Sequence, residues 1–99
     1  MRYTRVMILN FACEQTEMIW AGQRSRKLPY DIQETGRRKL RLLNNAKTVT
    51  DLRIPPGNRL EALSGSRKGQ YSIRINDQWR ICFRFKDGDA SEVEIVDYH

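Results

Sequence analysis

Hydrophobic positions change their spacing once along this chain, near Gly57. Before it they suit helices; after it they alternate with polar residues. Met7 to Phe11 is a short apolar stretch that fits a strand, with Met7 an alternative start, and Ala12 to Trp20 (ACEQTEMIW) is rich in helix formers. Gly22 opens a basic loop, GQRSRKLP, that closes at Pro29. From Tyr30 to Ala46, Ile32, Leu40, Leu42 and Leu43 interleave with Arg37, Arg38, Lys39 and Arg41, which predicts an amphipathic helix. Asp31 stands near its start and Asn44-Asn45 near its stop. Gly36 costs such a helix about 1 kcal/mol against alanine and predicts a bend or break there. Thr48 to Arg53 predicts one more helical turn, capped by Thr48 or Thr50 and ended by Pro55-Pro56-Gly57.

Beyond Gly57 the alternation predicts strands at Arg59–Leu63, at QYSIRIN (70–76), at WRICFRFK (79–86) and at Glu92–Tyr98, with Asp87-Gly88 a hairpin turn. The fold class expected is α+β, helices first, packed on a mostly antiparallel sheet. Register follows from parity. A two-residue turn after Ile75 would pair it with Arg80 and bury a guanidinium, whereas a three-residue loop, Asn76-Asp77-Gln78, pairs 75 with 79, 73 with 81 and 71 with 83. The opposite face then gathers Arg74, Arg80, Arg84, Glu94 and Tyr98, with Arg74 directly across from Arg80. Like charges placed so repel unless an anion lies between them. The alternative is a solvated face on which Glu92 and Glu94 neutralise Arg80 and Arg84. Trp20, Trp79, Phe83 and Phe85 fit the helix and strand periods and are expected in the core rather than as nucleotide platforms.

Composition narrows the class. Ninety-nine residues suit a single domain spanning 1–99, and 39% hydrophobic with 30% charged residues suits neither a disordered tail nor a membrane protein. The longest apolar run, Val6–Leu9, is far short of the roughly 20 residues a bilayer needs. Arg2 and Arg5 before it resemble the start of a signal peptide, but Asn10 and Glu14 end that pattern, so a cytoplasmic protein with reduced thiols is expected. Two cysteines 69 positions apart and a lone histidine cannot assemble a zinc site, and no metal or cofactor is expected.

Charge is unevenly placed. Residues 24–86 carry a net +11 and residues 87–99 a net −5, within a total of +6; 13 of the 18 cations are arginine. Arginine forks suit phosphate, and the basic body suggests a polyanionic partner. The chain ends Asp97-Tyr98-His99 directly after a strand pattern, which gives those last side chains a defined place. Beside an arginine face, an imidazole with tyrosine and aspartate suits phosphodiester chemistry without a metal.

The segments NRLEALSG, SRKGQYSIRINDQWRICFRF and VEIVDYH resemble the HigB branch of the RelE/ParE toxin superfamily, the plasmid-maintenance killer proteins. The likeness is dense over 55–99 and looser over 7–53. It implies a twisted antiparallel sheet and a ribosome-dependent messenger-RNA endonuclease, acting with mRNA in the A site of the small subunit. It also implies a cognate helix-turn-helix antitoxin (HigA-like), through which alone the toxin meets operator DNA. By this resemblance His99 is the main acid/base, and Tyr98 bonds to or stacks on the nucleotide. Asp97 orients neighbours or shares proton transfer, and Arg80 stabilises the phosphorane. Arg59, Arg67, Lys68 and Arg74 hold RNA backbone. Where some HigB-type toxins carry Lys/Arg-Leu-His, this chain has Arg59-Leu60-Glu61. Glu61 is therefore a candidate base, or else pairs with Arg59 or Arg80. Gly36 and the Met1–Val6 extension are further departures. Two other functions stay open, a ParE-like gyrase poison and a non-enzymatic RNA-binding module.

Overall fold

The computed structural model describes residues 8–98; Met7 and His99, which figure in the expectations from sequence, lie outside the described residues. The two helix-forming stretches become α1 (Glu14–Trp20) and α2 (Tyr30–Asn45), which lie against each other and on one face of the sheet. Gly36 neither bends nor breaks α2. It belongs to the buried stripe Ile32, Gly36, Leu40 and Leu43, so tertiary packing holds the helix through its weakest residue. Leu42 points away from that stripe and is exposed rather than part of the core.

A methyl group at position 36 would sit 3.5 Å from the Cδ1 atoms of Ile75 and Ile95, an ordinary contact. Gly36→Ala is therefore expected to raise stability by about 0.5–1 kcal/mol through helix propensity. Gly36→Leu should instead cost about 1–3 kcal/mol by forcing the helix off the sheet. The urea midpoints of the two variants must move in opposite directions.

Four antiparallel strands follow in the order β1 (Glu61–Ala62), β2 (Tyr71–Arg74), β3 (Trp79–Lys86) and β4 (Asp89–Asp97). The register of β2 on β3 is the one parity predicts, with Tyr71 opposite Phe83, Ile73 opposite Ile81 and Arg74 opposite Arg80. Asp87 and Gly88 both take left-handed backbone (φ 53° and 85°), as a two-residue hairpin turn requires. The first strand is shorter than expected. Arg59 ends a 3₁₀ turn (Pro56–Asn58) in left-handed conformation, φ 46° and ψ 55°, so extended pairing cannot begin before Glu61.

The last strand starts at Asp89 rather than Glu92, and the difference is a β-bulge. Cys82 pairs with Glu94 but Arg84 with Ser91, so β4 holds one residue more than β3 over this interval. Glu92 takes the left-handed conformation there, φ 51°. The extra residue lets Ala90 and Val93, three apart, both face the core. Residues just before and within α1 satisfy the outer side of β4. Leu9 and Ala12 donate backbone N–H groups to the carbonyls of Ala90 and Val93. Asn10 receives those of Glu92 and Val93, and the Thr16 hydroxyl that of Ile95 (2.9 Å). The Met7–Phe11 expectation survives as two isolated parallel bridges, Ile8 to Ala90 and Phe11 to Val93.

Phe83, Ile73, Ile81 and Val93 from the sheet meet Ile19, Ile32, Leu40 and Leu43 from the helices in the core. Trp20, Trp79 and Phe85 pack against it, as their periods predict. No helix among the described residues is long and apolar enough to cross a membrane.

The turn after α2 is a 3₁₀ helix, Val49–Arg53, capped by Thr48. Asp51 accepts backbone N–H groups from Lys47 (3.0 Å) and Thr48 (3.1 Å). Those bonds, Thr48 first, hold its carboxyl below the ordinary aspartate range. A depressed carboxyl contributes stability above its unfolded pKa of about 3.9, and that contribution fades as pH falls through the folded value. Thermal melts of wild type and Asp51→Asn should differ at pH 6 and converge in acid below the ordinary aspartate pKa.

Candidate active site

The face of the sheet turned away from the helices carries every second residue of β3, namely Arg80, Cys82, Arg84 and Lys86. Ser72 and Cys82, directly opposite each other, are both fully buried on this face. Their small side chains leave room for a longer one to lie flat, and Arg80 occupies it, only 9% exposed. Its Nε donates to Ser72 Oγ at 2.8 Å. Nη2 donates to the Arg59 carbonyl at 2.5 Å and, more distantly, to that of Ser72 at 3.5 Å. The Glu61 carboxylate stands 3.6 Å from the same Nη2. The Tyr98 ring lies over the guanidinium, its centroid 5.5 Å from Cζ. None of these contacts uses Nη1.

The left-handed backbone of Arg59 makes this cradle. A non-glycine residue in that conformation is disfavoured by roughly 1–2 kcal/mol. Here it terminates the Pro56–Asn58 turn with its carbonyl toward Arg80.

The arginine face is neutralised differently from the solvated alternative. Glu92 does pair with Arg84 (3.1 Å), but Glu94 pairs with Arg67 (3.3 Å) and Arg80 is left to Glu61. Arg74, across from Arg80 in the ladder, turns to Asp77 instead. The two opposed guanidiniums thus diverge, each toward its own partner. Arg67 also donates to Gln70 (3.0 Å) and so spans from its loop to Glu94 on β4, the residue paired with Cys82 in the ladder. Burial pushes the Cys82 thiol up, while Arg67 draws it down and Glu94 raises it further.

At the end of β4, the Tyr98 N–H donates to the Gln78 carbonyl (2.6 Å), and Gln78 Nε2 donates to Asp97 (3.1 Å). Asp97 pairs with Trp79 in the ladder, one position out of phase with Arg80 and Val96. The geometry therefore brings Arg80, Tyr98 and Glu61 together, and ties Asp97 to the loop before β3. Arg59 and Lys68 are exposed, and Arg67 and Arg74 half-buried, around this face. Ser72, Asn58 and Gln78 were not singled out in the sequence. Ser72 had a faint signal, a small polar residue in the same row as the arginines.

Residues 10–99 match the family model described as the RelE-like toxin HigB of type II toxin–antitoxin systems. The chain belongs to the HigB-like toxin family. Toxin HigB-1 of Vibrio cholerae is 44% identical over 85 residues, covering 85% of this chain and 90% of that protein. A second HigB relative, named an endoribonuclease, comes from Proteus vulgaris and is 44% identical over 41 residues, 41% of this chain and 45% of its own. Among solved structures, the YoeB–YefM complex of Staphylococcus aureus aligns with a TM-score of 0.58 at 20% identity, over 97% of this chain and 99% of the other. That likeness shows the shared fold. HigB-like membership and the α+β architecture agree with the expectations drawn from the sequence.

Proposed function

We propose that this HigB-like toxin is a ribosome-dependent, metal-independent messenger-RNA endonuclease of the cytoplasm, acting as a single domain. One observation carries the reading: Arg80 is buried and immobilised beneath Tyr98, the residue that precedes His99 in the chain. A fixed guanidinium is a preorganised stabiliser of anionic charge, since no reorganisation is needed as that charge develops. In RNA, the 2′-hydroxyl can attack the adjacent phosphorus and expel the 5′-oxygen, which needs a base, an acid and cationic stabilisation of the phosphorane.

In this scheme Arg80 meets the phosphorane and His99 protonates the leaving oxygen. Tyr98 bonds to or stacks on the displaced nucleotide. Glu61, an exposed carboxylate beside Arg80, takes the 2′-proton. Asp97 acts through Gln78, holding the end of β4 so that Tyr98 stays over the guanidinium. Arg59, Arg67, Lys68 and Arg74 guide the RNA backbone along the face. The activity named for the Proteus vulgaris relative supports an endonuclease. The basic body draws the toxin to the RNA that lines the ribosomal A site. It equally draws a HigA-like helix-turn-helix antitoxin, which alone carries the toxin to operator DNA.

The test is 5′-end mapping of a translated transcript in a cell-free system. New ends are expected inside the translated frame with wild type, absent when translation is blocked and absent with His99→Ala. Ends that persist with His99→Ala would remove the imidazole from the mechanism. Equal cleavage of naked transcript would remove the ribosome.

A further inference from the structure

We infer that Asn58, with Lys39 behind it, is a positioning residue for Arg80, locking the turn whose carbonyl holds the guanidinium. This rests on the reading of Arg80 as the group that stabilises the phosphorane.

Asn58 is fully buried although it lies in a surface turn between two prolines and a charged strand. Its carboxamide is used at both ends. Nδ2 donates to the carbonyls of Leu52 (3.1 Å) and Ile54 (3.4 Å), and Oδ1 accepts the Lys39 ammonium from α2. Its backbone N–H donates to the Pro55 carbonyl (2.9 Å), and that of Arg59 to Pro56 (3.1 Å). The turn that precedes the Arg59 carbonyl is thereby anchored to the 3₁₀ turn on one side and to α2 on the other.

That anchoring reaches Arg80 directly. The Arg59 carbonyl projects toward the site only because Arg59 keeps its left-handed conformation, and the next bond in the chain is Arg80 Nη2 to that oxygen. Ser72 Oγ holds the guanidinium at Nε from the strand side. A planar fork held from both Ser72 and the Arg59 carbonyl keeps one orientation; left to Ser72, with only the long 3.5 Å bond at Nη2, it can swing toward Glu61, which already lies near Nη2. The path α2–Lys39–Asn58–Arg59–Arg80 thus ties the helical layer to the opposite face of the sheet.

The choice of an amide fits its neighbours. Burial, then the charges of Arg38 and Arg74, press the Lys39 ammonium toward its neutral form, and a buried acceptor opposes that drift. A carboxylate at position 58 would face two carbonyl oxygens it cannot donate to.

The experiment compares Asn58→Ala, Lys39→Met and Lys39→Arg in the full-length chain, well below their melting temperatures and with folding checked by circular dichroism. The Arg80 Nε–Hε resonance, followed by ¹⁵N NMR without RNA, should shift and exchange faster with solvent in Asn58→Ala, and to a lesser degree in Lys39→Met. Lys39→Arg, which can still donate to the amide oxygen, should restore it. In the cell-free assay kcat should fall about 10- to 100-fold in Asn58→Ala with KM little changed, as expected for a misplaced catalytic group. An Arg80 resonance unchanged in folded Asn58→Ala overturns the positioning role. Should that variant not fold, an unchanged resonance in Lys39→Met overturns it equally. Cleavage by Arg80→Ala at the wild-type rate would instead defeat the functional reading of Arg80, leaving the NMR result to decide the positioning.

Discussion

Arg80→Ala is expected to reduce messenger cleavage by about 10²–10³-fold, the loss typical of removing one preorganised donor from a developing oxyanion. The loss should fall on kcat, because in the proposed mechanism the guanidinium meets charge that appears only in the phosphorane. Arg80→Lys should rescue little. An ammonium can reach the Ser72 hydroxyl or the Arg59 carbonyl, but it cannot reproduce the fork that engages both from Nε and Nη2. Either substitution also takes a donor from the buried Ser72 hydroxyl or the part-buried Arg59 carbonyl, at a cost of about 1–3 kcal/mol, so rates must be compared with the proteins fully folded. Single-turnover cleavage in the cell-free system, with denaturant titration of each variant, separates the two effects. A kcat within threefold of wild type would exclude the guanidinium from the chemistry.

Phe83→Ala should be the most damaging core substitution, lowering stability by about 3–5 kcal/mol. Phe83 is completely buried, with its ring 6.2 Å from that of Tyr71 and 6.4 Å from that of Phe85. It lies on β3 between Cys82 and Arg84, so the same strand that fills the core carries the arginine face. A domain of this size has only about 5–15 kcal/mol in hand. The variant is expected to lose cleavage through loss of folded protein, and activity per folded molecule, measured with cooling or a stabilising osmolyte, should return toward wild type. Phe83→Leu, which keeps most of the volume, should cost far less. Equal urea midpoints for Phe83→Ala and wild type would mean that the core does not close over this ring.

Much of this arrangement could be read before any coordinates. The alternation of Tyr71, Ile73 and Ile75 against Trp79, Ile81 and Phe83, with an odd-length loop between, left one register that kept guanidiniums out of the core. What that reasoning missed is where local geometry departs from the regular pattern. The bulge was hidden because it falls on Glu92, a residue type that seldom takes left-handed backbone, and because Ala90 and Val93 are spaced unlike a strand. Gly36 read as a breaker because propensity is local, whereas Ile75 and Ile95 supply the packing that overrides it. The sheltering of Arg80 was the largest omission. Alternation assigned it correctly to the outer face, but two small partners and a carbonyl from Arg59 turn an open face into a buried seat. Neither the depth of that seat nor the anchoring role of Asn58 has any signature in hydrophobic period, since both depend on contacts between elements far apart in sequence.

The segment from Leu9 to Thr16 occupies hydrogen-bonding positions along the outer margin of β4, and the opposite margin, β1, is only two residues long. The sheet therefore presents little template onto which another chain could add a strand. A toxin released from its antitoxin must persist alone long enough to act, and this closure protects it from stacking edge to edge with copies of itself.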